Sequence, residues 1–136
     1  MWIIKENYLG GVMSIKRFNL AWIVVKDIRK AIKFYTESVG MKLLTFEEKF
    51  GWAELSGQEE GGAWLGIAQQ SDMEEILPGQ NAVITLSVDN LEKSIEALIA
   101  KGVRKKGKLL EIPHHVKLQM MVDPDENHFQ IVQQLS

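Results

Sequence analysis

Hydrophobic and polar positions along this chain follow one pattern that occurs twice. Leu20, Ile23, Val25, Ile28, Ile32 and Tyr35 reappear sixty-three residues on as Val83, Leu86, Val88, Leu91, Ile95 and Leu98. In each copy an apolar run leads through an acidic or amide turn into an amphipathic helix. In the first, Ala21, Ile23 and Val25 alternate with Leu20, Trp22 and Val24, the two-residue period of a strand. Asp27 is placed to cap the next helix, where Ile28, Ala31, Ile32, Tyr35 and Val39 recur at helical spacing and Gly40 supplies the stop. The second copy reads ITLSVDN, offers Asp89 or Asn90 as cap, and carries Leu91, Ser94, Ile95, Leu98 and Ile99 before Gly102.

Three strands are expected after Gly40, in MKLLTFEEK, GWAELSG and GGAWLGIAQ, the last following a glycine-rich acidic turn at Gly57 to Gly62. SDMEEILPG reads as a single helical turn ended by Pro78-Gly79, a natural linker. The second half then gives strands at about Val103 to Leu110, Val116 to Val122 and His128 to Gln134. Pro113 separates the first two and Asp123-Pro124-Asp125-Glu126 turns the second into the third. Each half therefore reads βαβββ. Two such sheets need cover for their edges, which predicts that they pair or curl around a shared concavity.

Residues 1–14 are expected to be an N-terminal extension, more a tail than a strand, and 15–136 a single domain with modules at about 15–70 and 81–136 joined by 71–80. Gly10-Gly11-Val12 can be encoded by a ribosome-binding sequence just ahead of an ATG, which makes Met13 a candidate start; the nucleotide sequence decides it. Hydrophobic residues at 46% and charged residues at 25% are a globular balance. A net charge of −2, with no basic cluster beyond Arg104-Lys105-Lys106, argues against a nucleic-acid partner. The absence of cysteine removes disulfides, thiolate ligands and thiol nucleophiles. No apolar run approaches the ~20 residues of a membrane span, so no membrane partner is expected and cytoplasm is the default.

The doubled βαβββ pattern, with VVKDIRKAIKFYTESVGMKL in the first half and SVDN and DPDENHFQIV in the second, resembles the vicinal oxygen chelate superfamily. That superfamily includes glyoxalase I, extradiol dioxygenases, fosfomycin-resistance enzymes and bleomycin-resistance proteins. The resemblance covers about Ile15 to Gln134. It implies an α+β fold in which the modules form a cupped, partly closed mixed sheet with helices outside. It also implies a homodimer and a cavity where substrate and a divalent metal meet.

The metal positions carried over from the resemblance fall on Leu20, Gly66, Val83 and Gln130. The family's His and Glu donors suit a transition metal with open sites for a chelating substrate. Here three positions offer no side-chain donor and the fourth only a neutral amide, so no metal and no other cofactor is expected. Relocated ligands would have to come from His128, two residues from Gln130 on one strand face, and Glu54. His114 and His115 read as a solvated loop.

Strand parity fills the cavity differently. Ala21, Ile23 and Val25, Ala53 and Leu55, and Ala63, Leu65 and Ile67 are expected to pack on the helix. Trp22, Trp52, Glu54, Ser56, Trp64, Gly66 and Ala68 then share the other face. Trp22, Trp52 and Trp64 suggest an aromatic clamp for a flat or cationic molecule, with Glu54, His128 and Gln130 as polar anchors and Gly66 leaving room. The competing reading makes the rings ordinary core in space that a metal site no longer needs. DPDEN carries Glu126 where the family has glycine, so Asn127 is expected to take any left-handed conformation; the turn lacks the ligands of a calcium loop.

Three functions follow. The first is a metal-independent binder of a small, partly aromatic molecule, as bleomycin-resistance proteins sequester theirs. The second is a glyoxalase I-like lyase or extradiol dioxygenase-like enzyme with relocated ligands. The third is a degenerate module that only mediates dimerisation.

Overall fold

The computed structural model describes residues 19–72 and 76–135. The expectations for the N-terminal extension and Met13 lie outside those residues, as does the middle of the SDMEEILPG turn. The first half runs β1 (Leu20–Val25), α1 (Ile28–Lys33), β2 (Lys42–Glu47), β3 (Trp52–Ser56) and β4 (Trp64–Gln69). The second runs β5 (Ile84–Ser87), α2 (Leu91–Ala100), β6 (Arg104–Ile112), β7 (Val116–Val122) and β8 (His128–Gln134). Strand orders are β1-β4-β3-β2 and β5-β8-β7-β6, the same topology twice. In each sheet the strand before the helix runs parallel to the last strand and the remaining pairs are antiparallel. The result is α+β, with two four-stranded mixed sheets that do not close into a barrel.

Both helices start on the expected cap. The Asp27 carboxylate accepts from the Arg29 and Lys30 amides, and the Asn90 side chain, not Asp89, accepts from the Lys93 amide. Each cap removes orphan donors worth about 1 kcal/mol. The first helix is not uniform to Val39. It widens out of α geometry after Lys33 into a π turn over Phe34–Ser38, in which the Val39 amide donates to the Phe34 carbonyl. The Thr36 hydroxyl donates to the Ile32 carbonyl at 2.8 Å, drawing that acceptor from the regular ladder. Gly40, at φ 95°, ends it as glycine permits.

Two apolar clusters hold the helices on their sheets. Ile23, Val25, Ala53, Leu55, Leu65 and Ile67 pack under Ile28, Ala31 and Tyr35. Met121, Phe129 and Ile131 pack with Leu91, Leu98 and Val103. Each such Ile, Leu or Phe contributes about 1.5–3 kcal/mol when fully buried. Phe34, Val39, Ile84 and Leu86 touch both clusters, so the two halves share one interior. Ala63 departs from its expected packing: it precedes β4 and is exposed.

β1 is the edge of its sheet, and side chains from the second half satisfy that edge. The Asn81 amide donates to the Trp22 carbonyl. The Asn127 amide donates to the Val24 carbonyl at 3.1 Å, and the Lys26 amide donates to Asp125. The Tyr35 hydroxyl donates to Asp123 at 2.7 Å.

The DPDEN turn corrects one expectation. Glu126, not Asn127, takes the left-handed conformation, at φ 66°. Asn127 is buried because its backbone and side-chain nitrogens both donate to the Asp123 carboxylate while its side-chain oxygen accepts from the Gly79 amide. Fixing Asn127 this way leaves the strained position to its neighbour, at a cost of about 1 kcal/mol.

Candidate ligand-binding groove

β1, β4 and β3 present a continuous face away from α1, and their register sets its rows. Leu20 lies beside Trp64; Trp22, Gly66 and Glu54 form the next row; Val24, Ala68 and Trp52 form the third. Trp22 and Trp52 stand with ring centroids 6.4 Å apart and planes inclined by 60°. The Trp52 indole nitrogen donates to the Glu54 carboxylate at 3.0 Å. That bond fixes the ring across the strand below it.

Gly66 is that floor. A Cβ built there would stand 2.5 Å from Trp52 Cη2, 2.7 Å from Cζ2 and 3.0 Å from Trp22 Cβ. The space that the missing side chain was expected to leave open is therefore filled, because the Trp52 ring lies directly on the backbone. Trp64 shares the face but stands at its far end and is 43% exposed.

Beyond the paired indoles a groove of about 530 Å³ opens, lined by Trp22, Trp52, Ala68 and Gln69 from the sheet and by Lys49 and Phe50 from the turn between β2 and β3. Phe50 is 76% exposed. Its turn is a single 3₁₀ turn ended by Gly51 at φ 61°. A Cβ on Gly51 would meet Gln69 Cβ at 2.7 Å, and the Gln69 amide donates to the Gly51 carbonyl at 2.8 Å. Glu48 pairs with Arg29, whose guanidinium also lies 5.4 Å from the centre of the Phe46 ring. The turn that carries Phe50 is thus tied to α1 and to β4.

Gln69 has a second duty. Its side-chain oxygen accepts from the Ile28 amide at 2.9 Å and its nitrogen donates to the Lys26 carbonyl at 2.6 Å. The second half repeats the first bond: the Gln133 oxygen accepts from the Leu91 amide at 2.8 Å.

His128 and Gln130 lie on the second sheet and do not line the groove. His128 is half-buried, with its Nε2 3.3 Å from the Lys106 ammonium, and the Gln130 amide donates to the Thr85 hydroxyl at 2.8 Å. His114 and His115 are exposed in the turn before β7. Among the described residues no group of three or more His, Cys, Asp or Glu is gathered to hold a metal ion. The positions implied for a metal do not fit one. Leu20, Val83 and Gly66 bring no donor, Gln130 is engaged with Thr85, and an acidic side chain at 66 would collide with Trp52. Glu54 and His128 stand on different sheets.

A smaller cavity of about 220 Å³ lies where α1 meets the DPDEN turn, beside Lys26, Lys30, Tyr35 and Asp125. Burial, reinforced by the Asp123 charge and hydrogen bond, holds the Tyr35 phenol well above the ordinary tyrosine range. Burial also raises the Asp125 carboxyl, partly offset by the hydrogen bond from the Lys26 amide.

Sequence reasoning did not single out Phe50, Lys49 or Gln69. A large aromatic beside a glycine in an otherwise charged turn is the signal that could have marked Phe50. Gln69 ends β4 and Gln133 stands one residue before the end of β8; the sixty-three-residue repeat carries Gln69 to Val132, one residue short of Gln133, so the repeat alone does not pair them.

Two βαβββ units of identical topology, packed on one shared interior, define the class of fold to which the chain belongs. The family model of the Glyoxalase/Bleomycin resistance protein/Dioxygenase superfamily matches residues 14–131, and the chain belongs to that superfamily. Lactoylglutathione lyase of Schizosaccharomyces pombe is 31% identical over 90% of this chain and 49% of its own length. A probable chloroplastic lactoylglutathione lyase of Arabidopsis thaliana is 30% identical over 95% of this chain and 39% of its own. The chain thus spans about half or less of the curated relatives it matches. Among solved structures, TnmS3, an antibiotic binding protein from Streptomyces sp. CB03234, matches with a TM-score of 0.74 and 25% identity, over 90% of this chain and 99% of that one. No described helix is long and apolar enough to cross a membrane.

Proposed function

We propose that this protein binds a small, partly aromatic molecule without a metal ion, in the groove beside Trp22 and Trp52. The observation that carries the reading is the pair of half-buried indoles bordering a groove whose opposite lip is a largely exposed phenylalanine. Aromatic faces held rigidly, with Glu48, Lys49 and Gln69 at the groove's margin as polar anchors, suit a planar ligand that carries polar groups. Likeness to an antibiotic binding protein supports sequestration as the role. Trp22 and Trp52, with Glu54 fixing Trp52, are the principal contacts in this reading. Trp64, His128 and Gln130 then belong outside the groove, and the working unit is a homodimer of one domain over 15–136.

Tryptophan-fluorescence titration against a panel of flat aromatic antibiotics tests this. A saturable change is expected with at least one of them. Phe50→Ala should weaken that binding about threefold and Trp52→Ala about tenfold, as loss of an aromatic contact worth roughly 0.5–1.5 kcal/mol requires. Trp64→Phe should leave it unchanged. No saturable change with any compound, or equal affinity in all three variants, would sink the proposal. A second reading, a lyase, draws support from the two lactoylglutathione lyases among the relatives. A stoichiometric transition metal in protein purified without chelator would favour it over the binder.

A further inference from the structure

A second candidate site lies on the other sheet. On the face away from α2, strand register sets Arg104, Val122 and His128 in one row and Lys106, Met120, Gln130 and Thr85 in the next. Register between β6 and β7 breaks immediately after Lys106, where Gly107 adopts φ 75°. The buried amide of Gln119 holds that break by donating to the carbonyls of Lys106 and Gly107, both at 3.1 Å. A bulge re-aims the side chain beside it, and this one sets the Lys106 ammonium 3.3 Å from His128 Nε2.

That contact leaves a positive charge uncompensated. The Lys106 ammonium stands against the ring nitrogen and, carrying three hydrogens, keeps donors to spare. Among the described residues, Arg29, Arg104 and Lys117 each meet a carboxylate, whereas Lys106 forms no such ion pair. The surrounding groups on this face are also rich in donors. Gln130 spends one amide hydrogen on Thr85 and keeps another; the Thr85 hydroxyl accepts that bond and keeps its own hydrogen. Two cations, an imidazole, an amide and a hydroxyl share the face, and among the described residues the carboxylate bonded to them is Glu126, on Arg104.

We propose that Lys106 and His128, with Gln130 and Thr85 beside them, bind the anionic group of a small molecule, a carboxylate or a phosphate. An oxyanion offers the acceptors that these donors lack and the charge that Lys106 lacks. The proposal does not rest on the aromatic groove, which is on the first sheet.

The test is an NMR titration of the full chain at fixed pH and ionic strength, with inorganic phosphate and sodium acetate as separate probes, following the His128 ring resonances. Constant ionic strength removes general screening from the comparison. Saturable movement of the His128 signals is expected with one probe or both; phosphate alone would assign a phosphate ligand and acetate alone a carboxylate. Lys106→Met should weaken binding about tenfold, the loss of one charge-assisted hydrogen bond. Lys105→Met, which removes the same charge from the opposite face of β6, should leave it unchanged. Linear, non-saturating shifts with both anions overturn the proposal, and so does an equal loss in the two lysine variants.

Discussion

Gly66 shows what one residue can decide. Its missing side chain lets the Trp52 indole lie on β4, so the groove has a solid aromatic wall where a longer residue would have pushed the ring aside. Gly66→Ala forces contacts that real structures do not tolerate. Overpacking of this kind costs about 1–3 kcal/mol. Chemical denaturation should show that loss, and removing the ring by Trp52→Ala should make the same glycine change nearly free. A cost below about 0.5 kcal/mol would mean that the Trp52 ring swings freely and the wall is not rigid. Parity placed Trp22, Trp52, Glu54 and Trp64 on one face from the alternation alone, because alternation dictates side. It could not say which of them touch. That depends on ring direction and on the neighbour at Gly66, and neither has a period.

At the scale of elements, the two halves reuse one device. A glutamine at the end of the last strand reaches across to the first amide of the helix, Gln69 to Ile28 and Gln133 to Leu91. Gln69 also donates to the Lys26 carbonyl and, at 3.4 Å, more weakly to that of Gln70, so it meets more backbone groups than Gln133 does. Gln69→Ala is expected to destabilise the protein by about 2 kcal/mol and Gln133→Ala by about 1 kcal/mol, since each hydrogen bond is worth roughly 1 kcal/mol net. Thermal or urea unfolding of both variants measures the order, and equal losses would show that the second Gln69 bond adds nothing. The strands from β6 to β8 were legible nearly to the residue because Pro113 and Asp123-Pro124 mark their ends. The π turn in the first helix was not. A hydroxyl returns to the Ile32 carbonyl beside it, and a threonine at a helical position carries no sequence mark of that choice. Glu126 escaped for a similar reason: propensity favoured Asn127, and burial of the Asn127 amide overrode it.

At the scale of the molecule, Tyr35 and Asp123 join the halves through one buried bond. The folded protein holds the Tyr35 proton more tightly than the unfolded chain does. The stability gained from Tyr35 is therefore complete below the ordinary tyrosine value of about 10 and is lost as pH rises past it. Tyr35→Phe leaves the Asp123 carboxylate short of a donor and should cost about 1–3 kcal/mol at neutral pH. The variant should also lose less stability than the parent between neutral pH and about pH 10.5, since it has no phenol to ionise at this position. Urea unfolding at both pH values tests this, and parallel alkaline losses would remove Tyr35 from the account. The repeat announced two like halves, but it did not reveal how they are fastened. Tyr35 belongs to the repeat, but the groups that meet β1 and Tyr35 from the second half, Asn81, Asp123, Asp125 and Asn127, are loop side chains outside it.

The edge of β1, closed by asparagine side chains and not by another strand, bears on descent as well as on shape. Where strands zip together, every residue along the joint constrains its opposite. Here compatibility between one half and the other is vested in the shared apolar interior and in a handful of amide and carboxyl groups from turns. Homologous halves could be interchanged in the course of evolution wherever those few groups and the shared apolar contacts were retained.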